Sequence, residues 1–359
     1  MKISIIIPCY KAVKTLGACL DSIKAQTFTD WEVILINDGS PDETGDICNY
    51  YASKNTKIQV VHQENKGVSA ARNLGIKLSK SEYITFIDAD DYINEDFLQN
   101  LIQNNDADFT LCGFKSSMGI NFIPKPSYYN KKELNQNIQY VIEDPYLLYS
   151  PWCKLFKRDI INKYNIYFDI NLRLGEDTIF CYTYLLHCNS MRIVASNSYF
   201  YNGKWGGNGK YKLTLKEVEY LNQTEIERLD KINKAFHCNI NLTYRGNHLA
   251  LLNNLYKDFT DLELYKIYHN THRTITLKDY LKNNKLNFIF RGIIDLETLY
   301  KKKEYKKGEE FIQTLHRFFT IKTSKVTSLS IKMKIIHFLI RKKLYYTTNL
   351  LLYIINIFK

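Results

Sequence analysis

The strongest constraint on the fold is an alternation that runs through the first 115 residues of this 359-residue chain. Short β-branched runs are separated by segments with helical spacing. Residues 3–8 form the first such run, followed by Leu16, Leu20, Ile23 and Ala25 on one helical face. Residues 32–36 and 58–62 read as the second and third strands, and 68–78 as a helix. Residues 83–87 and 108–114 continue the pattern. Strands joined through helices of this length predict βαβ units and a mainly parallel sheet covered on both faces.

Ligands of such sheets gather at the carboxyl ends of the strands. Four polar clusters fall there: PCY at 8–10, NDGS at 37–40, HQENKG at 62–67 and DADD at 88–91. Their placement argues for one shared site. The chain has no GxGxxG after its first strand and no GxxxxGK[ST], which excludes Rossmann-type dinucleotide binding and a P-loop. The eight His form no HxxxH or HExxH, and no GxSxG nucleophile motif is present.

The eight cysteines show no CxxC or finger spacing, and Lys2 leads directly into the first strand. Reduced thiols in a cytosolic protein are expected. The net charge of +12 is unevenly spread. Residues 1–210 carry 22 basic and 23 acidic side chains, and residues 211–359 carry 27 and 14. From Phe311 onward there are nine basic residues and no acidic one. A basic tail on a neutral body fits an anionic membrane surface and argues against nucleic acid. In that tail Ile331, Ile335, Phe338 and Leu339 share a helical face, ringed by Lys332, Lys334, Arg341 and Lys342. The last apolar run, 344–358, is 15 residues and is broken by Thr347, Thr348 and Asn349. That is shorter than the roughly 20 residues a spanning helix needs, so an interfacial helix is expected. The competing reading is a helix docked on the protein or in a homodimer.

Three domains are read: 1–210, a helical region over 211–324, and the tail over 325–359. Residues 116–150 read as a polar excursion. Three carboxylates within four residues, Asp88, Asp90 and Asp91, repel one another unless water or a cation separates them. Hard divalent cations want such oxygens. The competing reading is an acidic turn capping the helix that follows.

Six motifs in order, SIIIPCYKA, NDGSPDET, NKGVSAARNLG, FIDADD, WCKLFKRD and GEDTIF, resemble family 2 glycosyltransferases over roughly residues 1–205. The bacterial enzymes that build capsule, lipopolysaccharide or exopolysaccharide are the most similar. The resemblance implies a GT-A-type α/β fold with a mainly parallel central sheet, followed by a helical C-terminal region. It also implies inverting transfer from a UDP-sugar to a hydroxyl of a glycan or lipid-linked glycan, at the cytoplasmic face of the membrane. By the DxD motif Asp90 would bind Mn²⁺ or Mg²⁺, and Asp88 would hold ribose or metal. The loop of Pro8 and Tyr10 would pack on uracil, and Asp38 would accept a hydrogen bond from it. Arg72, on the helix starting near Gly67, would face the diphosphate or form an ion pair with Asp88 or Asp91. Asp177 of the ED pair would be the general base, with Glu176 and Trp152 at the acceptor. For Trp152 a place in the core is the equal alternative. Lys11 departs from the asparagine common in the family, and YNGKWGGNGKYK offers lysines where relatives carry a loop arginine. The rival functions are a nucleotidyltransferase on a related sheet and a catalytically silent glycan- or membrane-binding module. Intact Asp88, Asp90 and Asp177 argue against the second.

Overall fold

The computed structural model describes residues 2–203, except 104, 105 and 145, and residues 214–240. The chain divides into two compact units, Met1–Leu255 and Tyr256–Lys359. The tail at 325–359, and all of the helical region at 211–324 beyond 214–240, lie outside the described residues.

The elements run β1 (Ile3–Cys9), α1 (Leu16–Lys24), β2 (Trp31–Asp38), α2 (Thr44–Lys54), β3 (Ile58–Gln63), α3 (Val68–Leu78), β4 (Tyr83–Phe86), β5 (Tyr92–Ile93) and α4 (Phe97–Ile102). They continue with β6 (Phe109–Ser116), β7 (Asn121–Phe122), β8 (Ser127–Tyr129), α5 (Lys131–Glu143), β9 (Lys154–Lys157) and α6 (Arg158–Tyr164). Last come α7 (Glu176–Leu185), β10 (Met191–Tyr201) and α8 (Leu215–Phe236). The sheet order is β3-β2-β1-β4-β9-β6-β10-β5. The pairs β3–β2, β2–β1, β1–β4 and β6–β10 are parallel. β9 enters antiparallel between β4 and β6. The sheet is therefore mixed and mostly parallel.

Its two faces are legible in β1. Ile3, Ile5 and Ile7 pack with Leu16, Leu20 and Ile23 of α1, while Ile6 joins the opposite core of α5 and α7. A strand buried on both sides needs this unbroken apolar run. Residues 116–150 are not a polar excursion. They form β7, β8 and α5, whose Leu134, Ile138, Val141 and Ile142 are buried. Asn130 and Glu133 cap α5 reciprocally, so local chemistry starts the helix and the sheet covers its apolar face. The domain boundary read near 210 also differs from the compact unit, which runs to Leu255 and includes α8 packed on α7. Among the described residues no helix is long and apolar enough to cross a membrane.

α3 approaches the sheet closely at Gly75, where an added Cβ would sit 2.3 Å from Ile6 Cγ2. Ile6 is β-branched and fully buried, so it has little freedom to yield. Gly75→Ala should destabilise the protein by about 1–3 kcal/mol through overpacking. The measurement is urea denaturation, in which the midpoint should fall with the slope unchanged.

Candidate active site

The four polar clusters meet as expected at the carboxyl ends of the parallel strands. β1 ends at the loop of Pro8 and Tyr10, where Tyr10 is 46% exposed with Lys11 Nζ 5.2 Å from its ring centre. This loop is tied to the one after β2, since Ala12 N donates to Thr44 Oγ1 at 2.8 Å and Lys11 N to Ser40 Oγ at 3.3 Å. A cavity of about 880 Å³ opens between them, with Lys11, Lys14, Pro41, Asp42 and Asp90 among its walls.

Asp38 lies at the end of β2 and is buried. Its Oδ1 accepts from Gln63 Nε2 at 2.6 Å and Lys66 N at 2.8 Å, and its Oδ2 from Gly67 N at 2.9 Å. The structure thus places Asp38 as the anchor of the 63–67 loop. That loop closes on Gly67, whose φ of +87° suits glycine at the start of α3.

Arg72 projects from α3 into the centre of the site, with its side chain 4% exposed. Its guanidinium donates to Asp177 Oδ1 at 2.6 Å and to Asp88 Oδ1 at 2.9 Å, and lies 4.0 Å from Glu176 Oε1. Of the ion-pair partners expected for Arg72, Asp88 is present, and Asp177 stands where Asp91 was the alternative. Beneath it lies Phe168, 5.3 Å from the guanidinium carbon and stacked on Phe180 at 4.0 Å. Asn73 fixes Phe168 through two backbone hydrogen bonds of 2.8 Å. Burial opposes the guanidinium's charge, and Asp177, Asp88 and Glu176 more than reverse that effect, so its proton affinity is raised.

Asp88, Asp90 and Asp91 bring one carboxylate oxygen each within 4.8 Å of one another. Asp91 is buried and already bound by the Tyr199 hydroxyl and by Asn202 N, the latter at 2.8 Å. Burial and the charge of Asp88 push its carboxyl up to about 8. Oxygen donors of this kind fit a hard divalent cation. Asp90 is exposed, and Asp88 keeps its second oxygen clear of Arg72, so these two are the suited ligands. Asp91 instead joins the cluster to the end of β10.

Glu176 and Asp177 open α7, directly after Gly175 at φ +80°. The Asp177 side chain is 24% exposed and that of Glu176 is 12% exposed. Burial and the neighbouring carboxylates push Glu176 up to about 8. Burial likewise raises Asp177, which Arg72 restrains to about 6.

Trp152 requires a correction. Its ring stacks on Tyr199 at 4.9 Å and Tyr201 at 5.4 Å and meets Phe114 edge-on, and the residue is 6% exposed. It is a core aromatic with no open face for an acceptor sugar. Sequence reasoning also missed Tyr199, Asn202, Phe168 and Asn73. Each acts through a contact more than 90 residues away, which no local spacing signals.

A family model described as Glycosyl transferase family 2 matches residues 4–164. Uncharacterized glycosyltransferase EpsJ of Bacillus subtilis is 34% identical over 208 residues, 55% of this chain and 60% of that protein. Poly(ribitol-phosphate) beta-glucosyltransferase of Bacillus spizizenii is 34% identical over 214 residues, 58% of this chain and 33% of that protein. The chain therefore spans about 60% and one third of the lengths of these relatives. The crystal structure of S. aureus TarS 1–349 in complex with UDP-GlcNAc superimposes with a TM-score of 0.55 at 20% identity, over 88% of this chain and 92% of that one. The fold is of the GT-A type.

The raised carboxyl of Glu176 has a consequence for stability. A folded-state value near 8, against about 4.3 in the unfolded chain, means that the folded protein binds the extra proton between those values. Stability should therefore rise as pH falls from about 8 towards 5. With metal removed by EDTA, Glu176→Gln should flatten this slope and raise Tm at pH 8. Thermal melts across that range check it, and an unchanged slope would contradict it.

Proposed function

Because residues 4–164 match the family model described as Glycosyl transferase family 2, we propose that the chain transfers a sugar from a nucleotide-sugar to a hydroxyl of a glycan acceptor. The donor is a UDP-sugar, a reading supported by the similar TarS fold with its bound UDP-GlcNAc. The acceptor is a glycan or lipid-linked glycan of a bacterial surface polysaccharide, as the motif resemblance implies; a polymeric acceptor agrees with the relative named for poly(ribitol-phosphate). The basic tail supports attachment to the inner face of the membrane.

One observation carries the mechanism: a single buried guanidinium joins Asp88 at the carboxylate cluster to Asp177 at the opening of α7. The cluster is the leaving-group side and α7 the acceptor side. Tyr10 and the 63–67 loop held by Asp38 face the nucleobase. Asp90, with Asp88, would hold Mn²⁺ or Mg²⁺, which when bound neutralises charge on a departing diphosphate. Arg72 holds one oxygen of Asp177 and leaves the other for the acceptor hydroxyl. The acceptor oxygen bonds to the anomeric carbon on the face opposite the diphosphate, its proton passes to Asp177, and the anomeric C–O bond to phosphate breaks to release UDP. The configuration inverts. A carboxyl near 6 is largely ionised at neutral pH and remains basic enough to take the proton.

Two tests follow from these roles. UDP should raise Tm with Mn²⁺ present, and EDTA should remove most of the gain. Asp90→Ala should lose the metal-dependent part, and an unchanged metal effect in that variant would take Asp90 out of the site. Asp177→Asn should lower transfer by about 10²-fold or more, the usual scale for a general base, with UDP affinity nearly unchanged. Isothermal titration alongside the transfer assay checks both halves, and loss of UDP binding would make the residue structural instead.

A further inference from the structure

The turn that presents Glu176 and Asp177 is held from two sides. On the α3 side stand Arg72, Asn73 and Phe168, already described. On the other side stands α8, which begins after residue 210, beyond both the six motifs and the family match. This helix meets the turn closely.

Gly175 adopts φ +80° and ψ 0°, a left-handed conformation that L side chains rarely take. The space a Cβ would fill there is occupied by Leu221, whose Cδ1 lies 2.7 Å from that position. Leu221 is buried and forms a separate small core with Leu172 and Ile179, so it clamps the residues before and after the Glu176–Asp177 pair. Two polar ties flank this contact. Arg173 NH1 lies 3.2 Å from Glu217 Oε1, and Tyr220 OH donates to Asp169 Oδ2 at 2.6 Å. Glu217 also closes the capping box of α8 with Thr214, which fixes the start of the helix as it fixes Arg173.

We propose that Leu221 is a positioning residue for transfer: seated against Gly175, it holds the left-handed turn that aims Asp177 at the acceptor. This inference rests on the glycosyl-transfer reading given above. A displacement near 1 Å at a catalytic group can cost about 10²-fold in rate, so a loosened turn acts on the chemical step before it acts on donor binding. Among the described residues, the ties of α8 given above run to the 169–179 segment and not to the loops after β1 and β2. Loosening the turn should therefore lower kcat and leave the donor KM alone.

The test uses the full chain with Leu221→Ala, the conservative Leu221→Met, and Ile232→Ala as a control. Ile232 is equally buried on α8 but packs in the main core, away from Gly175. Leu221→Ala should lower kcat by about tenfold or more with donor KM within about twofold, Leu221→Met should recover most of it, and Ile232→Ala should keep kcat. Equal loss of kcat in Leu221→Ala and Ile232→Ala, or none in Leu221→Ala, overturns the proposal. Hydrogen exchange of the amides at 176–178 gives an arm that needs no activity. Faster exchange there in Leu221→Ala, but not in Ile232→Ala, supports the positioning role even if the wild-type protein transfers no sugar. In that case the glycosyl-transfer reading alone fails. Unchanged exchange in Leu221→Ala overturns the positioning role.

Discussion

The site depends on one buried cation. Arg72 lies 4% exposed among Asp88, Glu176 and Asp177, groups drawn from the end of β4 and the start of α7. A buried charge is tolerated only when it is paired, and removing one partner of such a pair typically costs about 3–5 kcal/mol. The pairing therefore fixes three elements to one another: α3 through its own backbone, β4 through Asp88 and α7 through Asp177. A lysine would not replace it. The planar fork reaches two carboxylates with separate nitrogens, whereas an ammonium is a single point of charge. Phe168, stacked on Phe180, lies 5.3 Å from the guanidinium carbon, and Asn73 holds that stack from the next residue of α3.

Around this cation the carboxylates divide by environment. Asp88 and Asp177 face Arg72 directly. Asp91 and Glu176 are held near 8 by burial and by their neighbours. At neutral pH the cluster thus carries less negative charge than its five acids suggest, which is how so many fit in one place.

Much of this was legible in the sequence, for physical reasons that can be named. The strands of β1 and β2 declare themselves because burial on both faces demands unbroken apolar runs, and the clusters at their ends follow from the sheet's polarity. The Asp88–Asp91 cluster and the Glu176–Asp177 pair are local patterns, so they were readable as well. Trp152 was not, since its fate depends on Tyr199 and Tyr201 nearly 50 residues later. Residues 116–150 misled because half-exposed elements carry polar faces, and only the sheet explains why Leu134 and Ile138 are apolar. Asp38 looked like a base-reading carboxylate. Its buried oxygens also meet two backbone N–H groups and a glutamine amide, a partner set that emerges only when the 63–67 loop folds back.

These differences fall into a pattern that bears on how the proposed reaction is divided. The loops assigned to the nucleobase are held by ties such as Ala12 to Thr44 and Asp38 to Gly67 that stay within one βαβ neighbourhood, while the carboxylate cluster beside them is also tied to Tyr199 and Asn202. The half assigned to the acceptor is assembled across the chain: Arg72 meets Asp177 from 105 residues away, and Leu221 closes on Gly175 from a helix beyond the family match. Local ties hold the nucleobase loops together, which explains why their motifs are compact enough to read. Long-range ties make the second half depend on elements outside those motifs. A change in α8 or in the 166–175 segment can thus reshape the acceptor side while the strand ends of β1 and β2 stay as they are. On the proposed division, the acceptor side is the part of the site that elements beyond the family match help to shape.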